Sequence, residues 1–139
     1  MSDIQGQAQQ FIDALHELEQ CDAAASENQV DKLMTLFSPQ TRLTNAALQL
    51  AGKEESGIDG ARRFWSEYKS ALGQCFSCFH HVTNDANAAG LFWTTEGTGM
   101  DAQPVKYDGV SLLEYDEEGL IRFFRGYYDT RDLTVKAST

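Results

Sequence analysis

The stretch Lys106-Tyr107-Asp108-Gly109-Val110-Ser111-Leu112-Leu113-Glu114-Tyr115 decides the fold together with its return arm. After the turn Asp116-Glu117-Glu118-Gly119, that arm reads Leu120-Ile121-Arg122-Phe123-Phe124-Arg125-Gly126-Tyr127-Tyr128-Asp129. Two β-rich runs around an acidic, glycine-closed turn predict a hairpin. Successive strand side chains point to opposite faces. One face therefore collects Tyr107, Ser111, Leu113, Tyr115, Phe124, Gly126 and Tyr128, and the other Val110, Leu112, Phe123 and Tyr127. Both faces are apolar. Helices on one side of such a sheet leave the second set wet, so a further layer or a second subunit is expected over it.

Outward from the hairpin, residues 74–83 and 91–99 also read as strands, set off by turn-rich stretches at 84–87 and 100–104. Everything before Gly73 is mostly helical in pattern. Ile4, Ala8, Phe11, Leu15, Leu18, Cys21 and Ala25 recur at helical spacing and predict one long helix over residues 4–25. Asn28 with Asp31 resembles a capping box that opens a short helix through Val30, Leu33, Met34 and Phe37, stopped by Pro39. Residues 41–50 have mixed β character. Ile58, Ala61, Phe64, Trp65, Tyr68 and Leu72 form the stripe of a third helix over 58–72. Helices first and an antiparallel meander after them mean α+β. With no repeat or linker, residues 1–139 are expected to form a single domain.

The chain has 21 acidic against 11 basic residues, a formal charge of −10. That field repels a nucleic-acid backbone, and no basic cluster exceeds Arg62-Arg63. No apolar run approaches membrane length, and Met1-Ser2-Asp3-Ile4-Gln5 lacks the features of a signal peptide. Three cysteines, an odd number, fit a reduced cytoplasmic protein better than a disulfide scaffold.

The order of elements resembles the nuclear transport factor two-like superfamily, which includes SnoaL-like and ketosteroid-isomerase-like proteins. Leu36-Phe37 at the end of the second helix, Tyr115-Asp116-x-x-Gly119-x-Ile121 before the last strand, and the closing residues from Tyr115 to Leu133 carry the likeness. It implies a cone-shaped barrel: a curved, mainly antiparallel sheet wrapped around three N-terminal helices, an apolar pocket at the open end, and frequent dimerisation through the outer face of the sheet. The family's catalytic positions are largely vacated. Against ketosteroid isomerases, the base carboxylate falls on Asn45, and the two oxyanion donors fall on Cys21 and Ser111. Against polyketide cyclases and limonene-type epoxide hydrolases, the pattern Arg-Asp-aromatic-x-Asp becomes Arg125-Gly126-Tyr127-Tyr128-Asp129, so Gly126 replaces the catalytic aspartate and Asp129 remains.

Other chemistry is sparse. His80 and His81 point to opposite faces and cannot chelate a metal together. His80 shares its face with Phe76, Cys78 and Val82 and is placed inward, as a candidate general base or as a structural histidine. His16 is expected on the solvated side of the first helix. Cys75-x-x-Cys78 on a strand sends its thiols apart, which disfavours a redox or zinc role. Glu96 is placed outward, and Asp129 either caps the last turn, pairs with an arginine, or acts as a base. Trp65, Trp93 and Tyr128 are core or pocket-wall aromatics.

The expected protein is thus a binder of a hydrophobic small molecule with no assignable reaction. Cys21, Asn45, Trp65, Trp93, Ser111, Leu113 and Tyr128 line its pocket in this reading, and Val110, Leu112, Phe123 and Tyr127 pair the subunits of a homodimer. An acid–base enzyme using His80 or Asp129 on a hydrophobic carbonyl or cyclic substrate is the alternative, and a non-catalytic dimerisation module a third. No cofactor, metal, nucleic acid or membrane is expected.

Overall fold

The computed structural model describes residues 3–98 and 103–131. The expected strand end at Gly99, the turn at Met100, Asp101 and Ala102, and Asp132 and Leu133 of the closing stretch lie outside them.

Helix α1 (Ile4–Gln20) starts at Asp3, whose side chain accepts the Gly6 N–H. It buries Ile4, Ala8, Phe11, Ile12, Leu15 and Leu18. It stops short of the expected Ala25 because Asp22 begins a separate 3-10 turn (Ala23–Ala25), its carboxylate accepting the Ala25 N–H at 3.0 Å. Helix α2 (Ser26–Met34) grows directly from that turn, so Asn28 lies inside the helix rather than at its cap. Asp31 is spent on an ion pair with Arg62. Pro39 does not stop α2. It sits in strand β1 (Phe37–Asn45), where Phe37 faces Ile121 but Arg42 faces Phe123, so the missing N–H falls in an irregularity of the ladder.

The mixed β character expected over 41–50 resolves into the end of β1 and a short helix α3 (Ala46–Leu50). Asn45 caps α3 by accepting the Leu48 N–H at 2.9 Å. Strand β2 (Glu55–Ser56) leads into α4 (Gly57–Leu72). Strands β3 (Cys75–Asn84), β4 (Ala88–Thr98), β5 (Pro104–Tyr115) and β6 (Ile121–Tyr128) follow. The β5–β6 turn is held by Asp116, whose carboxylate accepts the N–H groups of Glu118 and Leu120, and Gly119 supplies the positive φ of +82°.

The sheet runs β2-β1-β6-β5-β4-β3, with β1 parallel to β6 and the other neighbours antiparallel. It curls without closing, as expected of an α+β cone. Helix α1 lies against β3 and β4, α4 lies against β1, and α2 braces both helices. An aromatic cluster fills the core, with Trp65 5.0 Å from Phe124 and 5.8 Å from Phe11 between ring centres. Each fully buried Phe or Leu, such as Phe11, Leu18 or Leu43, contributes roughly 2–3 kcal/mol. The hairpin's faces divide as its alternation implies. Tyr107, Ser111, Leu113, Tyr115, Phe124 and Gly126 are buried, and Tyr127 is exposed. On the outer face the Arg42 guanidinium lies 5.0 Å over Phe123, and Arg125 lies 4.5 Å over Tyr127. Arginine guanidinium groups therefore supply part of the cover that the sequence demanded. No described helix is long and apolar enough to cross a membrane.

Candidate functional site

The inner face of the sheet, α3 and α4 enclose a cavity of about 250 Å³. Its walls are mainly apolar and rich in aromatic side chains, among them Phe64, Trp65, Phe79, Trp93, Tyr107, Phe124 and Tyr128. The exposed Ala47 and Glu67 mark its mouth. Two cross-strand rows carry the polar atoms. Asn45, Gly126 and Ser111 are direct neighbours across β1, β6 and β5. Ser77, Thr95 and Tyr107 are direct neighbours across β3, β4 and β5. The rows lie four positions apart along β5, from Tyr107 to Ser111, roughly 13 Å at the strand rise.

The first row is open for a simple reason. Gly126 has no side chain, and a β-carbon there would make only ordinary contacts, 3.7 Å from Asn45 and 3.8 Å from Phe124. Trp93 donates its Nε1–H to the Ser111 Oγ at 2.9 Å. Tyr128 has its hydroxyl pKa raised by burial, opposed by a hydrogen bond from the Ala47 backbone.

The second row is backed by a buried carboxylate. Glu19 is fully buried at the end of α1. Its Oε1 accepts the Ser77 N–H at 2.8 Å, and its Oε2 accepts the hydroxyls of Ser77 and Tyr68, each at 2.5 Å. Ser77 Oγ also lies 2.6 Å from Thr95 Oγ1. Lys69 comes from the inner stripe of α4, and its ammonium donates to the carbonyls of Glu19, Cys21 and Gly73 at 3.0, 2.7 and 2.9 Å. Those are helix C-terminal carbonyls, where a cation is favoured. Burial, reinforced by the Glu19 charge, pushes the Tyr68 phenol well above its ordinary value and the Cys75 thiol up to about 12. Burial raises Tyr107 as well. These groups stay protonated at ordinary pH.

The SnoaL-like domain model matches residues 9–124. The chain belongs to the SnoaL-like family. No curated protein matches it. Among solved structures, a nuclear transport factor two-like protein of unknown function from Burkholderia pseudomallei is similar over the whole of both chains, with 13% identity and a TM-score of 0.81. The epoxide hydrolase/cyclase-like enzyme SalBIII, with a role in pyran ring formation in polyether salinomycin, is 17% identical, with 95% of this chain and 97% of its own covered and a TM-score of 0.72. TerC, co-crystallised with polyporic acid, is 14% identical, with 94% and 99% covered and a TM-score of 0.71. At these identities the likeness is one of fold.

Within this SnoaL-like domain, Asn45, Trp65, Trp93, Ser111 and Tyr128 border the cavity, while Cys21 and Leu113 do not. Cys21 sits just past the end of α1 with its thiol turned to the Leu18 carbonyl at 3.2 Å. Leu113 is fully buried in the core. His80 is a correction. Cys75, Ser77 and Phe79 turn inward because Ser77 must meet Glu19, which throws Phe76, Cys78 and His80 outward. The ladder slips at His80, since Phe79 faces Trp93 while His81 faces Phe92. The exposed His80 ring lies 3.4 Å from Thr94 Oγ1, which donates to Asp108 at 2.5 Å, all away from the cavity.

Asp129 takes the arginine-pairing role that was one of its expected readings. It is exposed, outside the cavity lining, and accepts from the Arg131 backbone N–H at 2.9 Å and guanidinium at 2.8 Å. Those bonds hold its carboxyl at about 2. Glu96 points outward to Lys106 at 3.3 Å. His16 is not on a solvated side: it docks α1 onto β3, bonded to the Ser77 carbonyl at 2.8 Å and stacked on Phe76.

Sequence reasoning missed Glu19 and Lys69. The signal was present: Glu19 lies four residues after Leu15, and Lys69 lies four after Trp65, so each charge falls on an apolar stripe.

Proposed function

We propose that this SnoaL-like domain binds a small, uncharged, largely apolar molecule in the cavity between the sheet and α4. The observation that carries the reading is the wall, mainly apolar, rich in aromatic side chains and interrupted by isolated hydroxyl and amide groups around about 250 Å³. SalBIII and TerC lend precedent through their shared fold. The test is calorimetric titration with acetophenone. Saturable binding is expected in wild type and lost in Gly126→Leu, whose side chain fills the first row while the melting temperature holds. No saturable heat up to millimolar ligand overturns the reading.

The outer face of the sheet supports a second proposal, a homodimer in which Val110, Leu112, Phe123 and Tyr127 meet their copies. Tyr127 is 43% exposed and Val110, Leu112 and Phe123 are half-buried beside it on that face, a cluster of apolar side chains rather than isolated ones. The free thiols of Cys21, Cys75 and Cys78 support a reducing, cytoplasmic setting.

A further inference from the structure

Hydrogen-bond accounting around the cavity divides it into two chemically opposite ends. Both side-chain oxygens of Glu19 accept: Oε1 takes the Ser77 N–H and Oε2 the hydroxyls of Tyr68 and Ser77. Tyr68 and Ser77 each have one hydroxyl proton, and both are committed to Glu19. Because the Ser77 proton is taken, the short contact to Thr95 requires Thr95 to donate to Ser77. Three hydroxyls bordering the cavity have therefore spent their protons on the Glu19 chain and offer only lone pairs inward. The nearby Cys75 thiol, 3.9 Å from the Tyr68 oxygen, is a weak donor and does not alter this count.

The other row has the reverse polarity. Asn45 spends its amide oxygen on the Leu48 N–H, so its NH₂ remains as a donor. Ser111 spends a lone pair on Trp93, so its O–H remains as a donor. Tyr107 lies in the accepting row, on the strand that joins the rows, and can do either.

We infer that the cavity selects a neutral ligand carrying a hydroxyl at the Tyr68/Ser77/Thr95 end and a carbonyl at the Asn45/Ser111 end, with Glu19 as the positioning residue that fixes this polarity. The inference rests on the pocket-binding reading and adds the ligand's chemical class and direction. The separation of the rows, roughly 13 Å, less two hydrogen bonds of about 3 Å each, leaves about 7 Å between the ligand's polar atoms. A para-substituted aromatic hydroxyketone fits that span. Glu19 governs the selection without lining the cavity, because exchanging it for an amide supplies a donor in place of an acceptor. That amide would donate to Ser77 or Tyr68 and release a hydroxyl proton toward the ligand.

The experiment titrates the full chain calorimetrically with three probes. These are para-hydroxyacetophenone, para-fluoroacetophenone (nearly the same shape, no donor) and para-ethylphenol (no carbonyl). Wild type is expected to bind the hydroxyketone about tenfold tighter than either partner compound, the value of one hydrogen bond in an enclosed site. Glu19→Gln is expected to bring the hydroxyl-over-fluoro ratio close to one while keeping the preference for the ketone. Ser111→Ala is expected to do the opposite. A merely structural role for Glu19 would weaken all three probes together and leave the ratios in place. If Glu19→Gln does not fold, Thr95→Val, which removes one acceptor from the same end, decides by the same ratio. Equal binding of the hydroxyl and fluoro probes to wild type, or a ratio that survives these changes, overturns the inference and leaves pocket binding standing. Failure of every probe to bind overturns both.

Discussion

The indole of Trp93 packs against Gly109 so closely that a β-carbon there would stand 2.4 Å from two ring atoms, and 2.6 Å from the Tyr127 carbonyl oxygen. That approach lets the ring reach Ser111, two residues along β5, and stand edge-on to Tyr107 at 5.4 Å. Gly109→Ala is therefore expected to displace the indole and to lose the Ser111 bond, at about 1–3 kcal/mol for forced repacking. Urea unfolding checks the cost, and an unchanged midpoint would show that the ring has room to yield.

Lys69 makes a similar case for the end of α1. Its side chain is 7% exposed and donates to three backbone carbonyls from two helix ends. Lys69→Met keeps the length and apolar stem but strands those acceptors, at roughly 2–3 kcal/mol. Loss of protection in the last turn of α1 by hydrogen exchange, together with a lower urea midpoint, is the expected result. A methionine variant as stable as wild type would mean that water replaces the ammonium.

What the sequence disclosed follows from which forces are local. The period-two alternation of 106–128 placed Ser111, Gly126 and Tyr128 on the inner face because strand geometry leaves no other option. The same rule misplaced His80. Phe76 and Val82 made their face look like the core, whereas the true inward set, Cys75, Ser77 and Phe79, is chosen by a carboxylate 58 residues away. Helix ends failed for a comparable reason. Asp22 starts a competing turn, and the α1 carbonyls find their partner on α4. Buried polar networks join distant segments, and periodicity does not report them.

His80 and Asp129 furnish a negative control for the cavity. Both side chains stay outside it, His80 on the outer face of the sheet and Asp129 in a turn with Arg131. His80→Ala and Asp129→Asn are each expected to leave acetophenone affinity within about twofold of wild type, below the loss of a single hydrogen bond. A tenfold loss in either variant would return that residue to the ligand site.

Alkaline pH should weaken the fold. The Cys75 thiol moves from an ordinary 9.0 to about 12, and the phenols of Tyr68, Tyr107 and Tyr115 are also raised, burial being the largest cause in each. Unfolded, these groups release protons near their ordinary values while the folded state still holds them. Stability is thus fully present below about pH 9 and is lost as pH climbs toward the folded values. The urea midpoint is expected to fall between about pH 8 and about pH 11. Cys75→Ala should remove the thiol's share of the decline, and a midpoint flat across that range would contradict the burial of these groups.

The outer face yields the last expectation. Phe123 sits half-buried beneath Arg42 on the face that also presents Tyr127. In a dimer built on Val110, Leu112, Phe123 and Tyr127, every contact across the two-fold axis occurs twice, residue i on residue j and j on i, so one substitution acts twice. Phe123→Glu places two like charges in that contact. In a monomer, the same glutamate gains an arginine partner at Arg42 and costs little. Sedimentation velocity is expected to find a wild-type dimer and a folded Phe123→Glu monomer. A wild-type monomer at working concentration removes the dimer, and the arginines over Phe123 and Tyr127 then account for how this face tolerates water alone.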